Sequence, residues 1–197
     1  PRNALLRRAI VHFAVDTEQV FMTTRLSGDT TRFIPFNRGD GDRAGNPARV
    51  GYRTGYLWGE VWSRDAWLDL LARFVLTTTD DAGKKVTLFP RYHQWSAVLS
   101  LVADARAQGA GQSYLVQHSA GSGKSNTIAW LAHRLSSLHS ADDRPVFDKV
   151  VVITDRLVLD LGQGRSGRLR EIARQPEFRS LSDELSRHAI WTTLLLA

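Results

Sequence analysis

The 197-residue chain has no cysteine and one methionine. The missing cysteines exclude a disulfide framework and any thiolate metal site. Long apolar runs are absent as well, since no stretch approaches the ~18 residues a membrane-spanning helix needs. The first residue is proline, and arginines break the apolar stretches of "PRNALLRRAI", so it is no secretory signal. The chain reads as beginning inside a longer protein, cytoplasmic and with no membrane partner. Two common catalytic arrangements are missing too: the sequence has neither a Gly-x-Ser-x-Gly elbow nor a His-Glu-x-x-His zinc pair.

Apolar residues make up 43% of the chain and charged residues 23%, enough to build a core. The formal charge of +6 suits a polyanionic partner without requiring one. Residues 10–15 and 19–25 are strand-like around Asp16-Thr17-Glu18, which predicts a hairpin, and "RFIPF" (32–36) predicts a further strand. A long loop follows over 37–55, with five glycines and one proline. Residues 56–75 carry Leu57, Val61, Leu68, Leu71 and Val75 at helical spacing. Trp58, Trp62 and Trp67 fall in the same pattern, so core packing is expected of them rather than base stacking. Two β-prone arms flank residues 80–83 and predict a second hairpin.

From residue 91 the pattern reads helix ("RYHQWSAVLSLVADARA"), strand ("SYLVQ"), loop, helix ("KSNTIAWLAHRLSSLH") and strand ("DKVVVITD"). That alternation is the crossover unit of a parallel sheet. The loop between the first strand and its helix, Ala120-Gly121-Ser122-Gly123-Lys124-Ser125, keeps the core of a phosphate-binding loop. Gly121 and Gly123 can turn successive N–H groups inward as an anion nest, and the next helix offers its N-terminus to phosphate. Lys124 supplies a charge for the β- and γ-phosphates, and the Ser125 hydroxyl can ligate Mg²⁺. His118 stands where the motif usually has its first glycine. Gln94, upstream in "FPRYHQW", has an amide that can both donate and accept, as an adenine edge requires.

"LFPRYHQWSAV", "YLVQHSAGSGKSNTIAWLAHRLSSLH" and "FDKVVVITDRLVLD" closely resemble the restriction (R, or HsdR) subunit of type I restriction–modification enzymes. "RRAIVHFAVDTEQVFMTTRLSGDTTRFIPFNRG" and "GYRTGYLWGEVWSRDAWLDLLARFV" extend the resemblance toward the N-terminus. In that family a histidine at the position of His118 is usual. The resemblance implies an α/β chain: residues 1–88 as the end of a nuclease domain and its linker, 89–160 as the start of a RecA-like motor domain, and 161–197 as a divergent tail. It implies ATP and Mg²⁺ bound by Gln94, Ala120, Gly121, Ser122, Gly123, Lys124 and Ser125, with Thr154, Asp155 and Arg156 near the DNA-tracking surface. The implied partners are double-stranded DNA and the methyltransferase and specificity subunits, in a bacterial or archaeal cytoplasm.

The chain departs from that family where catalysis is concerned. No acidic residue followed by Glu-x-Lys or Asp-x-Lys is found, so none of the nuclease residues is present. Asp183-Glu184 in "LSDELSRH" has no apolar strand before it, unlike the motor's Asp-Glu motif. The expectation is a fragment of an ATP-dependent translocase and endonuclease that binds ATP without being catalytically complete. The alternatives are a truncated protein that docks to the methyltransferase–specificity core with no nucleotide role, and an unrelated small P-loop NTPase.

Overall fold

The computed structural model describes residues 6, 8–41, 43–79 and 83–152. The chain forms two compact units, residues 1–96 and 97–197. The described residues are mixed α/β, with two small antiparallel sheets and helices. No helix among them is long and apolar enough to cross a membrane.

The first unit opens with the expected hairpin, β1 (His12–Val15) paired antiparallel to β2 (Val20–Thr23). Asp16 makes the turn: its Oδ1 accepts from the backbone N–H groups of Glu18 and Gln19, each at 2.7 Å. Those two bonds hold the Asp16 carboxyl below its usual range. The third strand, β3 (Ile34–Pro35), lies on the sheet edge, where a proline without an N–H is tolerated.

After the long loop come a short 3₁₀ turn (Arg53–Gly55), a π-helical turn (Leu57–Val61) and helix α1 (Arg64–Arg73). Leu57 and Val61 are fully buried, as the spacing suggests, and Leu70, which the spacing does not single out, is fully buried too. Trp58, Trp62 and Leu68, expected in the core, are instead largely exposed. Leu57 and Val61 take the inward face of the π turn, and each following tryptophan is rotated outward by one residue's worth of turn. The second hairpin pairs β4 (Leu76–Thr79) with β5 (Lys85–Leu88) in register from Leu76↔Leu88 to Thr79↔Lys85.

The core of this unit is aromatic. Phe13 meets Phe36 edge-on at 5.3 Å, and Tyr56 meets Tyr92 at 5.2 Å. The Tyr56 hydroxyl, buried, donates to the Phe36 carbonyl at 2.7 Å. Burial pushes the Tyr56 phenol well above its usual range and raises that of Tyr92. The Arg38 guanidinium sits 5.8 Å from both ring centroids and bridges to Glu60 at 2.9 Å.

The loop that precedes these rings is held by one buried amide. Asn46, 2% exposed, accepts from the Arg38 N–H at 2.9 Å and donates to the Glu18 carbonyl at 2.8 Å and to Asn37 Oδ1 at 3.0 Å. Asn37 Oδ1 in turn accepts from the Val20 N–H at 2.8 Å. One side chain thus joins the hairpin to the loop.

Helix α2 (Tyr92–Gln108) runs from the first unit into the second and is stopped by Gly109, at φ +74°. The second unit continues through residues 112–123 into α3 (Lys124–Leu135), which buries Thr127, Trp130 and Leu131 at positions i, i+3 and i+4. The "ADDRP" turn is present: Ser140 N–H donates to the Arg144 carbonyl at 2.8 Å, and Val146 N–H to that of Leu138 at 2.9 Å. The strand expected over "SYLVQ" forms no ladder among the described residues, nor does 148–152. A short run cannot hold β structure alone, and the remainder of "DKVVVITD" lies outside the described residues.

Asn46→Ala is expected to destabilise the first unit by about 1–3 kcal/mol, because it strips the part-buried Arg38 N–H and Glu18 carbonyl of their partner. A urea unfolding midpoint equal to that of the wild-type chain would contradict the role given to this amide.

Candidate nucleotide-binding site

The site is built around the start of α3. Gly123, its N-cap, has φ +82°, and Gly121 has φ +72°. Both lie in the left-handed region that side-chain-bearing residues avoid. At Gly121 a Cβ would meet nothing within 4 Å, so the backbone angle and not crowding calls for glycine. Between them, Ser122 is buried and its N–H donates to the Ser119 carbonyl at 3.3 Å. Ala120 is exposed at the tip, and Ser125, in the first turn of α3, is half-buried.

Lys124 is the first residue of α3, and its side chain folds back over the loop. Its Nζ donates to the His118 carbonyl at 2.9 Å and more weakly to the Ser119 carbonyl at 3.5 Å. An ammonium has three donors, so a phosphate oxygen can take the third. The first turn of α3 contains no acidic residue, and the partial positive charge of the helix start is not cancelled there.

His118 contributes its carbonyl to this closure. Among the described residues Asp143 is the one non-glycine with positive φ. His118 therefore sits in an ordinary backbone conformation, and glycine's freedom is not needed at that position. Burial, and secondly the charge of Lys124, hold the imidazole below its usual pKa of 6.5, so it is neutral at pH 7. Beside it Val116, Leu101, Thr127, Ile128 and Leu131 wall a cavity of about 20 Å³. The buried Thr127 hydroxyl finds no hydrogen-bond partner among the described residues.

A connection that sequence reading missed sets the approach to the loop. Asp104, on α2, accepts from Gln108 Nε2 at 2.7 Å and from the Tyr114 hydroxyl. That second bond raises the Tyr114 pKa. The Asp104–Gln108 spacing on a helix was a visible signal; nothing in the sequence pointed to Tyr114.

Gln94 belongs to the first unit and the loop to the second. Gln94 is buried, 4% exposed, and its Oε1 accepts from the Arg91 N–H at 2.9 Å. This is half of a capping box at the start of α2. The bond orients the Gln94 amide at the start of the helix. Thr154, Asp155, Arg156 and the Asp183-Glu184 pair lie outside the described residues. Among the described residues no group of three or more His, Asp or Glu side chains could hold a metal ion.

The arrangement suits a polyphosphate: a helix start preceded by two left-handed glycines, a cation over the loop and a hydroxyl in the first helical turn. The sequence model of the SWI2/SNF2 ATPase family matches residues 93–194. The match takes in the whole loop and α3, and it continues through 161–194, the stretch that the sequence pattern sets apart as a tail. No curated protein and no solved structure matches the chain.

The His118 imidazole is expected to titrate below 6.5 by NMR, and Lys124→Ala to move it only part of the way back, since burial is the larger cause. An unchanged midpoint in the variant would remove Lys124 from the account of this histidine.

Proposed function

The chain belongs to the SWI2/SNF2 ATPase family and carries a helicase-like ATPase domain, and from that premise we propose that it is part of the R subunit of a type I restriction–modification enzyme. The reading is ATP-driven movement along double-stranded DNA, coupled in the whole enzyme to cleavage. It rests on the resemblance of residues 6–160 to that subunit together with the loop geometry. The observation that carries ATP binding is the conjunction of two left-handed glycines, at φ +72° and +82°, with Lys124 folded over the loop at the head of α3.

In this reading the amides around Gly121–Lys124 hold the phosphates, and Lys124 offsets charge on the β- and γ-phosphates as the terminal bond breaks. Ser125 would offer its hydroxyl to Mg²⁺, which would supply positive charge against the phosphates. Gln94 is assigned to the adenine edge from the resemblance and from the donor and acceptor that its amide carries. Thr154, Asp155 and Arg156 are assigned to the DNA-tracking surface. "SYLVQ" and "DKVVVITD" are assigned as neighbouring strands of a RecA-like parallel sheet that packs the loop from below. The methyltransferase and specificity subunits are the proposed protein partners, and the proposed location is a bacterial or archaeal cytoplasm.

No nuclease triplet lies in this sequence, so DNA cleavage is assigned to the whole subunit and not to these residues.

Titration with a fluorescent ATP analogue and Mg²⁺ tests the proposal. Lys124→Ala is expected to weaken binding by about tenfold or more, the worth of one charge-assisted bond. Equal affinity in the two chains, both folded by circular dichroism, would reject the site.

A further inference from the structure

The stretch 43–64 of the first unit has a composition that the ATPase reading does not use. It holds four arginines and one acidic residue, Glu60, interleaved with Tyr52, Tyr56, Trp58 and Trp62. Asp42 and Asp65 stand only at its two ends. Folding separates these residues by role. Tyr56 is taken into the core, whereas Tyr52 stays 60%, Trp58 49% and Trp62 43% exposed. Three large aromatic side chains left outside within eleven residues is unusual for a chain with a core available to it.

The exposed rings are held in place. Tyr52 and Trp58 meet edge-on at 6.4 Å, and Trp62 is braced edge-on by Phe13 at 5.7 Å. The π turn from Leu57 to Val61, closed by Trp62 N–H to the Leu57 carbonyl at 2.8 Å, fixes both tryptophans to one short element. A stacking partner would therefore find the rings already ordered, at small entropic cost.

The charges divide in the same way. Arg53 is bridged to Glu18 at 3.0 Å, and Glu60 is engaged by Arg38 at 2.9 Å. Arg43, Arg49 and Arg64 are exposed and enter none of the ion pairs formed among the described residues. The Arg49 guanidinium lies against Gly55, where a Cβ would come within 3.5 Å of its Cζ and Nη1. The stretch thus offers three cations and three rings; Glu60 within it is occupied, and Asp42 and Asp65 adjoin it at either end.

We propose that this face of the first unit binds single-stranded DNA, with Tyr52, Trp58 and Trp62 stacking on bases and Arg43, Arg49 and Arg64 meeting phosphates. Stacking needs unpaired bases, because a duplex shields their faces, so the aromatic component selects single strands over duplex. Arginine alone would not make that distinction. An apolar protein partner fits less well, since it would leave three arginines facing an uncharged surface.

Fluorescence anisotropy of the whole chain with labelled oligo(dT) of about 15 nucleotides, the upper site size of a stacking groove, tests this directly. Oligo(dT) is expected to bind, and Trp58→Ala and Tyr52→Ala are expected to weaken it at least about tenfold more than they weaken a duplex of equal length, which the ATPase reading places elsewhere. Trp58→Ala is expected to lose about tenfold, with Trp58→Phe retaining most of the affinity. Arg49→Ala is expected to lower the slope of log affinity against log salt by about 0.7. Trp58 is exposed, so its removal leaves the fold intact by circular dichroism; Tyr52→Ala repeats the test on a second ring. Oligo(dT) affinity unchanged in both folded alanine variants, or duplex affinity lowered by them as much as oligo(dT) affinity, overturns the proposal. So does the absence of binding at low salt. Tighter binding of oligo(rU) than of oligo(dT) overturns the assignment to DNA in favour of RNA.

Discussion

The bond from the Lys124 ammonium to the His118 carbonyl closes the loop on which the candidate site depends. It fixes the two ends of the motif relative to each other: the residue that enters the loop and the first residue of the helix that leaves it. Two left-handed glycines make the bond reachable, because only they let the chain reverse within the span from Ser119 to Lys124. The cation thus lies over the loop at the start of α3. His118 serves through its backbone, which explains how an imidazole can stand at a position usually given to glycine. Its side chain, neutral at pH 7, adds no positive charge to the loop.

The first unit rests on a different device, a cation enclosed by rings. Arg38 lies over Tyr56 and Tyr92 and is neutralised by Glu60, so the loop, the π turn and the start of α2 share one charge pair. Asn46 repeats the pattern in neutral form, tying the β1–β2 hairpin to the same loop. A loop of this length would otherwise carry a large entropic cost. Its order is set by side chains reaching across it, and the surface with Tyr52 and Trp58 is presented as a consequence.

Much of this was legible in the sequence, and the legible parts are local. Asp16 caps its own hairpin turn, strand-like runs on either side of it mark β1 and β2, and the alternating helix and strand pattern marks α2 and α3. The motif Ala120–Ser125 needs no distant residue to take its form. Features that depend on distant partners were not legible. A ladder for "SYLVQ" requires a neighbouring strand, and the Tyr114–Asp104 bond joins residues that no periodicity connects. The tryptophans show why spacing alone misleads. Trp58 and Trp62 share a helical repeat with Leu57 and Val61, yet an offset of one residue turns them outward. Gln94 was recognised by type and position, but its bond to the Arg91 N–H emerged only from the fold.

The central claim is that residues 119–125 form a nucleotide-phosphate cradle at the head of α3. Hydrogen–deuterium exchange with and without a non-hydrolysable ATP analogue and Mg²⁺ tests it most directly. Slowed exchange concentrated in the amides from Ser119 to Thr127, with the hairpin 12–23 unchanged, is the result predicted. Exchange in that segment unaffected at saturating nucleotide would contradict it.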